Sequence, residues 1–268
     1  MARRVYLDHA STTPILPESA AAMAEACRIW ANPSSPHAEG RAARAAMEEA
    51  RCRIAAALGW SGTLVFTSGA TEAIALAFER AKAKRFVVSA VEHAAVLRSA
   101  REGRQVAVRR GGTLDLHDLD RALAEAEAGA LVAVQSANNE SGVINPLAEV
   151  AARVRGAGGL LLADCAQSAG KLPLPDADFI VVAGHKLGAP PGIGALLVRD
   201  PAAIEAIGGQ EGGYRPGTPP VPLIMAFAAA AEADHGWYGQ AERLRAKLDE
   251  AIAAAGGEVV GGAAPATT

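Results

Sequence analysis

The stretch Asp178-Phe-Ile-Val-Val-Ala-Gly-His-Lys186, followed by Leu187-Gly-Ala-Pro-Pro-Gly-Ile-Gly194, decides how this chain folds. An unbroken apolar run of this length predicts a strand buried on both faces, which is the habit of parallel sheets. The C-terminal end of such a strand is where open α/β sheets gather their ligands. A lysine held there, partly out of water, has a depressed pKa and a free amine that can condense with a carbonyl. A lone lysine in that place can equally snorkel its charge to the surface, so the neighbourhood of Lys186 has to decide.

Working outward, short apolar runs recur at Leu64–Thr67, Arg85–Ser89, Gln105–Val108, Ala130–Gln135, Gly159–Asp164, Asp178–Ala183 and Gly194–Val198. Ala/Glu/Arg-rich stretches at helical spacing lie between most of them, over 71–81, 92–102, 117–128 and 146–156. That alternation predicts an α/β fold, a mainly parallel sheet of about seven strands with helices on both faces. The connection over 184–193 is too short for a helical crossover, so the strand at 194–198 is expected to run antiparallel. Further helices are predicted over 38–58, 221–234 and 239–255. The expected division is an N-terminal segment over 1–15, a large domain over 16–238, and the start of a C-terminal small domain over 239–268.

Composition narrows the class. The 268 residues are 50% hydrophobic and 21% charged, with a net charge of −3, which suits a globular chain. No basic face points to nucleic acid or an anionic membrane, and no apolar run approaches the ~20 residues of a membrane span. No secretory segment opens the chain, so the cytoplasm is the expected compartment. Cys27, Cys52 and Cys165 are too few and too scattered for a disulfide framework or a zinc site, and no metal is expected. Cys27 and Cys52 fall in helical stretches and read as packing residues, and Cys165 as a small buried filler.

Four clusters follow strand ends. Thr67-Ser-Gly-Ala-Thr-Glu72 opens a helix, so its free N–H groups and dipole suit a phosphate, or merely form an N-cap with Glu in the first turn. Asp164 closes a buried strand; it needs a cationic partner such as a protonated pyridine nitrogen, or it caps the next turn. His93, in Glu92-His93, can stack on a planar cofactor or serve structure alone. Asn138-Asn139 can donate to a phenolate oxygen or shape an Asx-turn. Together with the Lys186 amine these make up the requirements of pyridoxal 5'-phosphate. A Gly-x-Gly-x-x-Gly opening a βαβ unit and a Walker Gly-Lys-Ser/Thr motif are both missing.

The chain resembles the class V aminotransferase family, and within it most of all the cysteine desulfurases that supply sulfur for iron–sulfur clusters. The similarity rests on Tyr6-Leu-Asp-His-Ala-Ser-Thr-Thr-Pro14, Asn32-Pro-Ser-Ser-Pro-His37, Phe66-Thr-Ser-Gly-Ala-Thr-Glu72, Glu92-His93, Asn138-Asn-Glu-Ser-Gly142, Asp164-Cys-Ala-Gln167, Gly184-His-Lys186, Gly192-Ile-Gly-Ala195 and Arg215-Pro-Gly-Thr218, in family order. It implies the fold-type I architecture of PLP-dependent transferases, a homodimer, L-cysteine or a similar amino acid as substrate, and a sulfur acceptor or scaffold protein as partner. It implies that Lys186 binds the cofactor covalently, that Asp164 pairs with its ring nitrogen and that His93 stacks on the ring. Asn139 and Gln167 would then contact the phenolic oxygen side, and Ala70, Thr71 and His185 the phosphate, with Thr218 reaching it from the partner subunit.

Three departures qualify the resemblance. Ala183 stands where the family usually has Ser, which removes one phosphate hydroxyl, worth about a kcal/mol. Pro216 stands where Ser is common. None of the three cysteines matches the family's catalytic position, which lies in a Ser/Gly-rich loop of the C-terminal small domain together with a carboxylate-gripping arginine. The sequence ends in Gly261-Gly-Ala-Ala-Pro-Ala-Thr-Thr268, about where that domain is expected to begin, and a piece of a longer enzyme is the expectation. Other class V aminotransferases, PLP lyases, or an inactive PLP-fold scaffold would share every cofactor residue.

Overall fold

Strands whose side chains mostly avoid water on both faces satisfy their backbone by pairing with one another. In the computed structural model, which describes residues 5–126, 129–234, 236–259 and 261, they form one sheet. The strands are β1 (Thr63–Thr67), β2 (Arg85–Ser89), β3 (Arg104–Val106), β4 (Ala130–Gln135), β5 (Leu160–Asp164), β6 (Phe179–Ala183) and β7 (Gly194–Val198). Their order across the sheet is β1-β7-β6-β5-β4-β2-β3. All neighbours from β6 to β3 pair parallel, whereas β7 runs antiparallel to both β6 and β1, as the short connection at 184–193 requires.

The helices are α1 (Pro17–Ala26), α2 (Ala38–Ala57), α3 (Ala70–Arg80), α4 (Ala94–Ala100), α5 (Leu116–Ala126), α6 (Leu147–Gly156), α7 (Val221–Ala231) and α8 (Tyr238–Ala254). They cover both faces. Alternate strand residues Val65, Leu131, Leu162, Val181 and Leu196 pack on α3 and α4 through Ile74, Phe78 and Val96. The intervening residues Phe66, Val132, Ala163, Ile180 and Leu197 meet Ile54 of α2, Leu119 of α5, Val150 of α6 and Phe227 of α7. Burying one such side chain contributes about 1.5–3 kcal/mol, so the two layers dominate the stability of the fold.

The sequence reading missed α1. Its signal is Pro17, which cannot donate a helical N–H and is preset for a first turn. Ser19 then ties α1 to α7 by donating its hydroxyl to the Ala226 carbonyl at 2.9 Å. Helix α4 is shorter than expected because the His93 side chain caps it, accepting from Ala95 N–H at 3.2 Å, and because Arg101 turns to φ 50° at its end. The expectation that Cys27 and Cys52 are packing residues is corrected: both are free and exposed. The buried stripe of α2 runs through Ala43, Met47, Ala50 and Ile54, and Cys52 falls off that spacing. Residues 1–4 of the N-terminal segment, the end of the helix expected over 117–128, and the Gly/Ala/Pro-rich stretch at 262–268 lie outside the described residues.

Candidate active site

The sheet aligns the ends of its central strands, and that alignment builds the site. Gln135 of β4 pairs in register with Asp164 of β5, and Ala183 of β6 lies opposite Gly194 of β7, which lies opposite Thr67 of β1. A cavity of 570 Å3 opens over these ends. Ala70, Thr71, His93, Asn139, Asp164, Gln167, His185 and Lys186 all line it, so the chain brings together eight of the nine residues singled out from the sequence. Thr218 is exposed and is not part of the lining among the described residues.

Each group has a local cause. After β1 the chain turns at Gly69, whose φ of 151° favours glycine, and enters α3 at Ala70 with its first N–H groups open to the cavity side. Gly194 permits that turn: a Cβ there would stand 2.8 Å from Gly69 Cα and 2.6 Å from the Val182 carbonyl. After β6 a single 3-10 turn, Gly184–Lys186, delivers His185 and Lys186. The N-terminal segment fixes that turn from outside. Thr13 donates its hydroxyl to the Lys186 carbonyl at 3.1 Å and its N–H to the His185 carbonyl at 3.0 Å, and Thr12 Oγ1 lies 3.2 Å from His185 Nδ1. Gln167 Nε2 donates to the Ala10 carbonyl at 2.9 Å, so the same segment also anchors the loop after β5.

The electrostatics set the cavity apart. Asp164 is 7% exposed, and its Oδ1 accepts only a backbone N–H, from Ala166 at 2.9 Å. Burial raises its pKa, and the nearby Lys186 and His93 charges offset that only in part. Burial likewise lowers the pKa of Lys186, against the pull of Asp164. His185 is pushed down by burial and by the Lys186 charge. The cavity thus holds an amine biased toward its nucleophilic form, a carboxylate short of a cationic partner, and a helix N-terminus suited to an anion.

Two residues quoted in the sequence motifs, Glu92 and Glu72, have partners that the sequence reading did not foresee. Glu92, directly before His93, is 6% exposed; its Oε1 accepts the Gln135 N–H at 2.7 Å, and burial, then the Asp164 charge, drives its pKa well above the ordinary glutamate value. Glu72, on the cavity wall, accepts the Ser68 N–H and binds Arg215 Nε at 2.6 Å. Burial opposes ionisation of Glu72, but Arg215 and Ser68 outweigh it and its pKa is lowered. Neither partner was legible, since each depends on strands or loops far apart in sequence. Cys165, directly after Asp164, is buried and its thiol is pushed up to about 12, chiefly by desolvation, which leaves it inert.

Comparison with known proteins agrees with this geometry. The family described as Aminotransferase class-V matches residues 5–254. An IscS-like cysteine desulfurase of Mycobacterium tuberculosis is 39% identical over 92% of this chain and 70% of its own length. The human cysteine desulfurase is 36% identical over 86% of this chain, which spans only 55% of the human protein. Among solved structures, a NifS-like protein from Rickettsia africae superposes with a TM-score of 0.91 at 28% identity, covering 99% of this chain and 79% of that one. SspA in complex with cysteine superposes with a TM-score of 0.79 at 28% identity, covering 92% of this chain and 78% of that one.

Proposed function

Because the chain belongs to the class-V aminotransferase family, and is cysteine-desulfurase-like within it, we propose that Lys186 holds the pyridoxal 5'-phosphate of this PLP-dependent family and that the substrate is L-cysteine. The observation that carries the reading is the placement of Lys186 and Asp164 after neighbouring strands on one cavity, with burial lowering the pKa of the amine and raising that of the carboxylate. The cavity fits the group. Asp164 would face a protonated ring nitrogen, the turn at Gly69 with Ala70, Thr71 and His185 would receive the phosphate, and His93 would lie against the ring. Asn139 and Gln167 would contact the phenolic oxygen side.

When bound, the cofactor supplies an aldehyde for the substrate's amine and a ring that takes up electron density from its Cα. The residues do the rest. Lys186 Nζ or His93 moves the Cα proton, and burial of Lys186 favours the neutral amine that can accept one. Asp164 stays anionic once a cation faces it, which keeps the ring nitrogen protonated. The N-terminal segment, through Thr12, Thr13 and Ala10, holds the His185 ring, the backbone carbonyl of Lys186 and the Gln167 amide in place around the cavity.

We place Thr218 of the partner subunit at the phosphate of a homodimer, a role that suits its exposed position away from the cavity lining. The domain division at 1–15, 16–238 and 239–268 belongs to the same proposal, supported by α8, which contributes no buried residue. Free Cys27, Cys52 and Cys165 suit a cytoplasmic setting, and no helix among the described residues is long and apolar enough to cross a membrane. Delivery of sulfur to an acceptor or scaffold protein needs a further thiol, because none of these cysteines lines the cavity. A second reading, a class V aminotransferase or lyase that uses no protein thiol, calls for the same cofactor residues at the cavity. Assaying an amino-acid panel for keto acid against alanine plus sulfide separates the two.

The test of the main reading is uptake of the cofactor. Incubation with pyridoxal 5'-phosphate turns the purified chain yellow, and borohydride fixes the adduct at Lys186, as read by peptide mass spectrometry. The Lys186→Ala protein fixes none. A colourless wild-type protein, or an adduct on another residue, refutes the assignment.

A further inference from the structure

Glu92 precedes His93 in the turn between β2 and α4, and of the two only His93 lines the cavity. The Glu92 side chain serves the sheet instead. Pairing of β2 with β4 stops at Val88 opposite Ala133, and β2 itself ends at Ser89, while β4 runs on to Gln135. Successive residues of a strand turn their backbone groups to opposite neighbours. Ser136 N–H donates to the Asp164 carbonyl of β5 at 2.8 Å, so the N–H of Gln135 faces the side that β2 has left. Glu92 Oε1 accepts it at 2.7 Å. A side-chain carboxyl thus takes the place of the strand carbonyl that would have continued the ladder.

The same turn is held a second time. The Val91 carbonyl accepts from Gln135 Nε2 at 2.6 Å and from Asn138 Nδ2 at 3.2 Å. His93 follows directly and caps α4, its Nδ1 accepting the Ala95 N–H. The ring is therefore placed from behind, by bonds that run to the end of β4. Glu92 is 6% exposed, and its Oε2 is buried with no hydrogen-bond partner among the described residues. A charged oxygen stranded in that way is far costlier than a protonated acid, and burial and the Asp164 charge favour the neutral form as well.

We propose that Glu92 is a positioning residue that acts through His93: its carboxyl closes the end of β4 and so fixes the turn that sets the His93 ring at the cavity. The inference rests on the cofactor reading above for what the ring meets, and on hydrogen bonds alone for where the ring stands. A neutral acid suffices for that task, so the carboxamide of glutamine replaces it and an apolar side chain does not.

The experiment compares the wild type, Glu92→Met, His93→Ala and the double variant, each loaded with pyridoxal 5'-phosphate. Glu92→Met weakens the cofactor about fivefold by equilibrium dialysis, the loss expected for one misplaced contact, and shrinks the visible circular dichroism of the bound cofactor. In the His93→Ala background the same substitution adds nothing, because the residue it works through is gone. Glu92→Gln leaves both readouts as in the wild type. Glu92→Asp, one methylene too short to reach, repeats the loss if the methionine variant folds poorly. Additive losses in the double variant, or a glutamine variant as weak as the methionine one, overturn the proposal. The cofactor-free chain gives an independent readout. Proton–nitrogen correlation spectra show the His93 ring nitrogens shifted in Glu92→Met and unshifted in Glu92→Gln, and equal shifts in both overturn the proposal too. A wild-type chain that binds no cofactor refutes the Lys186 reading, and the ring-nitrogen spectra then decide the role of Glu92 by themselves.

Discussion

Two aspartates, one at the cavity and one at the far edge of the sheet, are almost equally screened from water: Asp164 is 7% exposed and Asp118 is 4% exposed. Their ionisation is pushed in opposite directions. Asp118, in the first turn of α5, accepts the Ala107 N–H at 2.7 Å and binds Arg104 at 2.7 Å and Arg121 at 3.0 Å. Those partners, the backbone N–H first, hold its pKa down at about 2. Asp118 is ion-paired with two arginines that themselves reach solvent, whereas Asp164 closes a strand buried along most of its length. One carboxylate is complete within the chain, and the other is left needing something the chain does not supply. The difference separates a residue that stabilises the fold from one kept for a ligand.

The largest expected effect comes from breaking the incomplete member. Asp164→Asn lowers turnover of the cofactor-loaded protein on the order of a hundredfold or more, because the ring nitrogen loses its counter-charge. The same change does not lower the stability of the cofactor-free chain. The pKa of Asp164 is raised by folding, so as pH climbs past the ordinary aspartate value the unfolded chain sheds its proton first. The contribution of Asp164 to the stability of the cofactor-free protein therefore falls with rising pH across that window, and Asp164→Asn removes that contribution, leaving the like-signed share of Glu92. Thermal midpoints measured across mildly acidic pH check both halves. A cofactor-free Asp164→Asn protein that melts lower at neutral pH contradicts the comparison.

Breaking the complete member reverses the pattern. Asp118→Ala strands the Ala107 N–H and costs about 1–2 kcal/mol of stability, while cofactor uptake is unchanged. The folded pKa of Asp118 is depressed, so the contribution of this group is present above the ordinary aspartate value and is lost as pH falls through that range toward about 2. Denaturant unfolding at neutral and strongly acidic pH reads this directly: the deficit of the variant shrinks in acid. A deficit that persists unchanged there would mean that the carboxylate's charge contributes nothing.

Which of the two aspartates belongs to a site was partly legible in the sequence. Asp164 ends an apolar run, as Lys186 does after the short turn that follows its own, so two unbroken apolar runs pointed to the place where the strand ends gather. Strand ends gather by topology alone, which is why His93, Asn139 and Gln167 also arrived together. What the sequence could not expose depends on contacts between distant segments. The Glu72–Arg215 pair joins residues 143 apart, and Glu92 acquires its buried setting from Gln135 on another strand.

The smallest effect tests how nearly complete the anion cradle is. Ala183 is 1% exposed and lines the cavity beside the turn at Gly69, where the family pattern usually carries a hydroxyl. Ala183→Ser adds one donor without a large change in volume, and it tightens cofactor binding about fivefold if the phosphate still has a free oxygen toward β6. Equilibrium dialysis of the cofactor against both proteins measures it. The physical content lies in the sign. A gain means that the backbone N–H groups at the start of α3 leave an oxygen unmet, as Asp164 leaves its charge unmet. No gain means that this end of the cavity resembles Asp118 instead, with every polar group answered from within the chain, and the unmet chemistry is then confined to Asp164 and Lys186.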